Sequence, residues 1–195
     1  MNAEALVLAA RRISHSQSIS KETLAQTNPA IYNGIVQNLY NGIWNAITYD
    51  VFDTIGTDAA TQKTTFGGTT LDYAKIVQME ASIGGLNIGQ GAYVTTPAVK
   101  AFLKKTAGLT NQAAIWTNDE VNGYPAYGVP ACNSAEIVFG DFSRSAVGTW
   151  GDIELIVDPY TKAKEGLIVI TAVALADTGV TNKRAYCILT NASIG

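Results

Sequence analysis

A row of branched apolar residues spaced four apart limits what this chain can become more than any other feature. Ile31, Ile35, Leu39, Ile43, Ile47, Val51 and Ile55 follow one another without a break. A second row of Tyr32, Val36, Tyr40, Trp44 and Phe52 runs beside it. Residues four apart lie on one face of a helix. Asn28 supplies an N-cap, Pro29 a first helical residue and Gly56 a stop. The spacing predicts a single helix from Asn28 to Gly56, about 40 Å long at 1.5 Å per residue. In a chain of 195 residues, a rod of that length spans a whole domain. Gly34 and Gly42 inside it each cost about 1 kcal/mol relative to alanine, so they belong on the polar side or where another backbone comes close.

The rest of the chain is read around this rod. Leu6 to Ser20 is extended and rich in serine, and Ser20 caps a short turn from Lys21 to Gln26. Thr57 to Gly68 reads as a polar linker. Thr70 caps a second helix whose apolar face is Leu71, Ala74, Ile76, Val77, Met79 and Ile83, and Gly84-Gly85 ends it. Ala92 to Thr95 is a short strand. Thr96 and Pro97 then open a third helix that Gly108 stops. From Tyr124 the apolar period falls to two, with strands at 126–129, 135–139, 145–148 and 153–157. Leu167 to Val173 and Arg184 to Thr190 are two long strands around Asp177-Thr178-Gly179, which is a hairpin signal. The order predicts an α+β fold: a long spine helix clasped by a closing β-hairpin, with a mixed α/β region inserted between them. The corresponding domains are 1–57 with 161–195, and 58–160.

Composition narrows the function. Hydrophobic residues make up 47% of the chain and charged residues 15%, against roughly 25% charged in ordinary soluble domains. A weakly charged surface suits a subunit covered by its neighbours, and a small-molecule binder almost as well. The net charge is -3, and Arg11-Arg12 and Lys104-Lys105 are only isolated basic pairs. An electrostatic footprint for sequence-specific nucleic-acid binding is therefore missing. Cys132 and Cys187 stand far apart in apolar runs and read as buried small side chains. The N-terminus lacks the charge pattern of a signal peptide, and no run is long and apolar enough to predict a membrane span.

No reactive constellation converges. The single histidine, His15, sits among serines on an extended segment, where adjacent residues point apart, and reads as a surface histidine. Asp50 and Asp53 share a helix face, but two acids near a helix end are ordinarily solvated. The glycine-rich stretch Gly84 to Gly91 leads into a strand, whereas a phosphate loop opens a helix. The expectation is no catalytic, cofactor-binding or metal site, and no enzyme.

Several local motifs resemble the major capsid proteins of tailed phages, the Hong Kong 97 type of fold. Ile19-Ser20-Lys21-Glu22-Thr23-Leu24 resembles the segment before that family's spine helix. Tyr93 to Val99 resembles its strand-to-helix step with Thr-Pro. Gly123-Tyr124-Pro125 with Val129-Pro130, Ile137 to Ser143, and Gly151 to Tyr160 resemble its later segments, in the family's order from Ser20 to Asn191. The resemblance implies a peripheral domain holding the spine and the hairpin, and an axial domain formed by the insertion. It implies a homo-oligomer of pentamers and hexamers in a virion capsid, assembled in the bacterial host cytoplasm. Portal and scaffold proteins and non-specifically packaged DNA would be its partners, with no membrane and no cofactor. Family members carry an N-terminal arm and a long extended loop before the spine, so the chain is expected to be the C-terminal two-thirds of such a protein. No cross-linking lysine is carried over.

The loops 111–122 and 140–151 are expected near the symmetry axes, and the exposed side of the spine between neighbours. Asn111, Asn118, Asp119, Asn122, Asp141, Arg144 and Trp150 are the candidate inter-subunit residues. A bacterial nanocompartment (encapsulin-like) shell protein is the alternative with the same fold. A cytosolic α/β enzyme or carbohydrate-binding module is the alternative of another class, favoured by a deep polar pocket with clustered acids.

Overall fold

A computed structural model describes residues 6–26, 29–57, 62–65, 73–84, 90–108, 113–132 and 136–190. The described elements are, in order, β1 (Arg11–Ser20), α1 (Lys21–Gln26), α2 (Pro29–Thr57), β2 (Gln62–Thr65), α3 (Tyr73–Gly84), β3 (Ala92–Thr95), α4 (Pro97–Lys105), β4 (Trp116–Thr117), β5 (Glu120–Val121), β6 (Tyr124–Gly128), β7 (Ile137–Gly140), β8 (Ser145–Thr149), β9 (Glu154–Asp158), β10 (Leu167–Val180) and β11 (Tyr186–Thr190). The chain divides into two compact units, Met1–Asp50 with Val147–Thr178, and Val51–Ala146 with Gly179–Gly195.

The predicted rod is there as one helix, α2, but its apolar row serves two cores. A step of four residues turns about 400°, so each successive member is rotated by about 40°. From Ile35 to Ile55 the row winds roughly half-way round the helix. Ile35, Leu39, Ile43 and Ile47 accordingly enter a cluster with Ile19, Ile170, Ala172, Ala174 and Ala176 in the first unit. Phe52 and Ile55 enter another, with Val138, Tyr186 and Ile188, in the second. Trp44, in the second row, is left 52% exposed, which the reading of two parallel apolar rows did not anticipate.

The first unit is built on a sheet whose centre is β10. Strand β1 pairs antiparallel along one side of it, and β9 pairs antiparallel with it as well. Alternate residues of β10 face the helix, and these are Ile170, Ala172, Ala174 and Ala176, all buried. Small alanines on the strand leave room for the isoleucines and leucine of α2. The same face of β1 carries Ile13, His15, Gln17 and Ile19. The His15 ring lies on Gly42, where an added Cβ would come within 2.4 Å of Cδ2. Gly42 is thus explained by the close approach of a ring rather than a backbone, and exposed His15 has a packing contact. Gly34 has nothing within 4 Å of an added Cβ. Gly34→Ala is therefore expected to stabilise the chain by about 0.5–1 kcal/mol through helix propensity alone, read as an increase in the urea midpoint.

The second unit holds a seven-stranded sheet in the order β2-β11-β7-β3-β6-β5-β4. Its central strands are short continuous apolar runs, and β7 is buried at all four positions. Such runs mark strands covered on both faces. Tyr93, Ile137, Phe139, Cys187 and Leu189 pack toward Ile76, Met79 and Ile83 of α3 and Val99 and Leu103 of α4. Val94, Val138, Tyr186 and Ile188 pack on the opposite side with Phe52 and Ile55. The predicted cap of α4 is found, with Thr96 Oγ1 accepting from the Val99 N–H at 3.4 Å. Thr70, the expected cap of α3, lies outside the described residues.

Two expectations are corrected. The two long C-terminal strands exist but do not form a hairpin. Strand β10 runs for 14 residues straight through Asp177-Thr178-Gly179, and β11 belongs to the other sheet, between β2 and β7. Each strand does pack on α2, β10 on its early turns and β11 on its last. The stretch expected to be a polar linker contains β2, which pairs parallel with β11 from Gln62 to Thr65.

Candidate assembly surface

The expected contact loops of the second unit are more ordered than loops. Strands β4, β5 and β6 are joined by two consecutive two-residue turns, Asn118-Asp119 and Asn122-Gly123. All four residues have positive φ, at 53°, 58°, 51° and 80°. Asparagine, aspartate and glycine are the residues that tolerate this region, and paired positive φ values are the signature of the tight turn that fits twisted strands. Asp119 is held from several sides. Its Oδ1 accepts from Lys100 Nζ at 2.8 Å and from Trp116 Nε1 at 3.2 Å, and its backbone carbonyl accepts from the Ala126 N–H at 2.8 Å. Lys100 Nζ also sits 4.9 Å above the Trp116 ring.

The second turn is tied to α3. Tyr73 donates its hydroxyl proton to Asn122 Oδ1 at 2.9 Å, and Asn122 Nδ2 donates to Glu80 Oε1 at 2.9 Å. Tyr93 donates to the same Glu80 oxygen at 2.6 Å. Burial first, and then the Glu80 carboxylate, push the Tyr93 phenol well above its ordinary range. It stays a neutral donor at any working pH. The tip Asn118 projects from a base that is fixed by hydrogen bonds, which suits a recognition element.

The hydrogen bond from Lys100, followed by that from Trp116, holds Asp119 below the ordinary carboxylate range. A depressed folded-state value means that the ionised form is favoured by folding. The contact is present at neutral pH and is lost as acid takes the pH down through that value. Lys100→Met is expected to raise the Asp119 titration midpoint toward that of a free carboxylate, read by carboxyl-carbon NMR. The carboxylate lies at the surface, so global stability should hardly change.

The other candidates are placed differently. Asn111 lies outside the described residues. Asp141 is buried, with 4% of its surface exposed, and its Oδ1 accepts from Ser143 N at 3.1 Å and Ser143 Oγ at 2.6 Å. It caps the short helical turn Phe142–Arg144 and pairs with Arg144 at 3.4 Å, so its carboxylate serves the fold. Arg144 remains half exposed. Trp150, in the first unit, is 39% exposed, and its backbone N–H donates to the Leu175 carbonyl at 2.9 Å.

The exposed side of the spine, expected between neighbours, carries large apolar side chains, and others lie beyond it. Trp44, Tyr49, Ile156, Val157 and Tyr160 of the first unit are all substantially exposed. Trp44 borders an open groove of about 460 Å³ with Tyr40, Ile47, Ile153, Ala174 and Leu175, and Asp152 is the single acid in it. Large apolar side chains left exposed in this way suit an interaction site. A smaller concavity of about 250 Å³ lies under the turns of the second unit, lined by Tyr73, Ala113, Ile115, Asn118, Glu120 and Asn122 among others. Among the described residues there is no cluster of three or more histidine, cysteine or acidic side chains able to hold a metal. No described helix is long and apolar enough to cross a membrane.

The chain is similar to phage capsid proteins in sequence and to phage and particle structures in fold. Residues 16–191 match the family model described as the phage capsid family. The major capsid protein of Halomonas phage phiHAP-1 is 29% identical over 196 residues, covering 93% of this chain and 32% of the relative. The chain thus spans about a third of that relative's length. Among solved structures, that of Microbacterium phage Oxtober96 has a TM-score of 0.73 at 12% identity, covering 94% of this chain and 73% of that one. The capsid of an empty GTA particle, computed with C5 symmetry, has a TM-score of 0.70 at 15% identity, with 95% and 73% covered. A virus-like particle from Pyrococcus furiosus has a TM-score of 0.68 at 10% identity, with 92% and 76% covered. These structures share the fold. The family match over nearly the whole sequence says more: this chain belongs to the phage capsid family.

Proposed function

We propose that this chain is the shell-forming part of a phage major capsid protein and works by self-association rather than by catalysis. The observation that carries the reading is the set of large apolar side chains left exposed on the first unit, headed by Trp44, Tyr160 and Val157, in a chain of this family. Repeated copies would bury that surface, with many modest contacts summing to a closed container. The first unit, with the early turns of α2 and β10, is the peripheral part of the subunit. The second, with the seven-stranded sheet, is the axial part. The turns at Asn118-Asp119 and Asn122-Gly123, together with Arg144 and Trp150, are contact points in pentamers and hexamers. Portal and scaffold proteins and packaged DNA are its partners, and assembly occurs in the host cytoplasm.

Purified chain imaged by negative-stain electron microscopy is expected to show closed shells or their rings of subunits. A chain that stays monomeric at every accessible concentration overturns the reading. Asn118→Lys should disturb assembly without unfolding the subunit, and normal shells from it would remove that turn from the contacts. Lysine at a φ of 53° is itself unfavourable, so Asn118→Gly, which keeps the turn without the charge, is the control. The likeness to the virus-like particle favours a second reading, a nanocompartment shell. Nuclease-protected DNA inside particles made in the host would exclude it, and a protein cargo would support it.

A further inference from the structure

In the sheet built on β10, β1 lies along one side and β9 and β8 along the other, and the outer edges of β1 and β9 carry opposite charge. Along β1, Arg11, Arg12 and Ser14 through Ser18 are exposed, and along β9, Glu154, Ile156 and Val157 are exposed. Among the described residues neither strand pairs with anything but β10. An open edge of this kind is a template for another strand. The β1 edge begins with Arg11 and Arg12. The β9 edge begins with Glu154, just after Asp152. Arg11 pairs with Asp50, but among the described residues no ion pair engages Arg12, Asp152 or Glu154.

The register makes these charges complementary. Both β1 and β9 run antiparallel to β10, so they are parallel to each other. Arg12 lies opposite Leu175, and Glu154 lies opposite Val173. Residues opposite one another share a face of the sheet, so Arg12 and Glu154 project from the same face at the same end, two residues apart along β10. Rotation about an axis along the strands keeps that level from copy to copy. The Arg12 of the next copy would then stand diagonally beside Glu154, within reach of a long side chain. Two-fold pairing of β9 with itself would instead set Glu154 near a second copy's Asp158, acid against acid.

We propose that β9 of one copy pairs edge to edge, parallel and head to tail, with β1 of a second copy, so that the sheet continues from subunit to subunit. This deepens the shell reading and rests on it. A head-to-tail contact closes into rings, and each copy uses each edge once.

The test is charge reversal with rescue in trans, on the whole chain, by sedimentation velocity. Arg12→Glu makes both edges acidic, and the double variant Asp152→Lys with Glu154→Lys makes both basic. Each alone is expected to need on the order of tenfold more protein to self-associate, with an unchanged thermal unfolding midpoint. Mixing the two variants joins a basic edge to an acidic one wherever the two alternate, as in open chains and even-membered rings, and should restore association there to about the parent level. If either variant alone associates like the parent, the edge contact is overturned and the shell reading stands; this includes the case in which only Arg12→Glu fails, which would give the β1 edge to another strand. A mixture that stays dissociated also overturns the contact. A parent that never associates overturns both readings.

Discussion

Alanine at Phe139 is expected to lower the unfolding free energy by about 3–5 kcal/mol, the largest single effect in the second unit. The ring is 2% exposed, stacks on Tyr93 at 4.4 Å between centroids and meets Tyr124 edge-on at 5.1 Å. It also fills the space beside Gly91, where an added Cβ would lie 2.7 Å from the ring. The backbone around it is pinned on both sides, with Phe139 opposite Cys187 of β11 and Tyr93 of β3. The sheet therefore cannot close over the void, which puts the cost toward the upper end of the range. Phe139→Leu, which keeps most of the volume, should lose clearly less. Urea titration followed by Trp116 fluorescence reads the change, with Trp44 and Trp150 replaced by phenylalanine in parent and variant alike. An alanine variant within about 1 kcal/mol of the parent would show that this aromatic cluster is not the centre of the core.

Leu39→Ala is expected to cost about 2–5 kcal/mol in the first unit. Leu39 is fully buried in a cluster that includes Ala172, Ala174 and Ala176 of β10. Alanines have no side chain that can swing into a cavity, and the neighbouring isoleucines are β-branched and stiff. The void therefore persists. Hydrogen exchange should show the loss of protection in β1 and β10, while β3 and β7 keep theirs until global unfolding. Equal loss throughout would mean that the two units unfold as one cooperative block.

How far the sequence could be read depends on whether a signal is local. The helix Pro29–Thr57 was legible because its cap, its first-turn proline and its apolar row lie within one segment. The step at Thr96-Pro97 was legible for the same reason. Strands β3, β7 and β11 announced themselves as short apolar runs, and the family resemblance rested on such segments in a fixed order. The turn chemistry of Asn122-Gly123 was also present, but a loop expectation over 111–122 hid it. Asp141 could have been recognised as a cap, since an acid followed two residues later by serine favours a local turn. Gly140-Asp141 reads as a turn, and what the turn signal does not tell is that the carboxylate is buried.

Other features had no local signal. Glu80 serves Tyr93 and Asn122, which lie 13 and 42 residues away, and nothing near Glu80 marks it as a hub. The hairpin expected around Asp177-Thr178-Gly179 failed because turn residues permit a turn without requiring one. Pairing energy decides whether the chain bends: β1 lines β10 only as far as Ala176, and β10 has a further partner, β8, on its other side. Strand β2, four polar residues ending in two threonines, becomes a strand through its partner β11.

The amino-acid order by itself determined the rod, most of the strands, the kind of fold and the family. Those depend on side-chain period, capping and backbone preference, which act over a few residues. The tertiary structure alone decided which core each turn of the rod enters, which strands lie side by side, and which charges stand at the open edges of a sheet. Those depend on contacts between residues far apart in the chain. Their free energy exists only once the intervening segments have been folded into place.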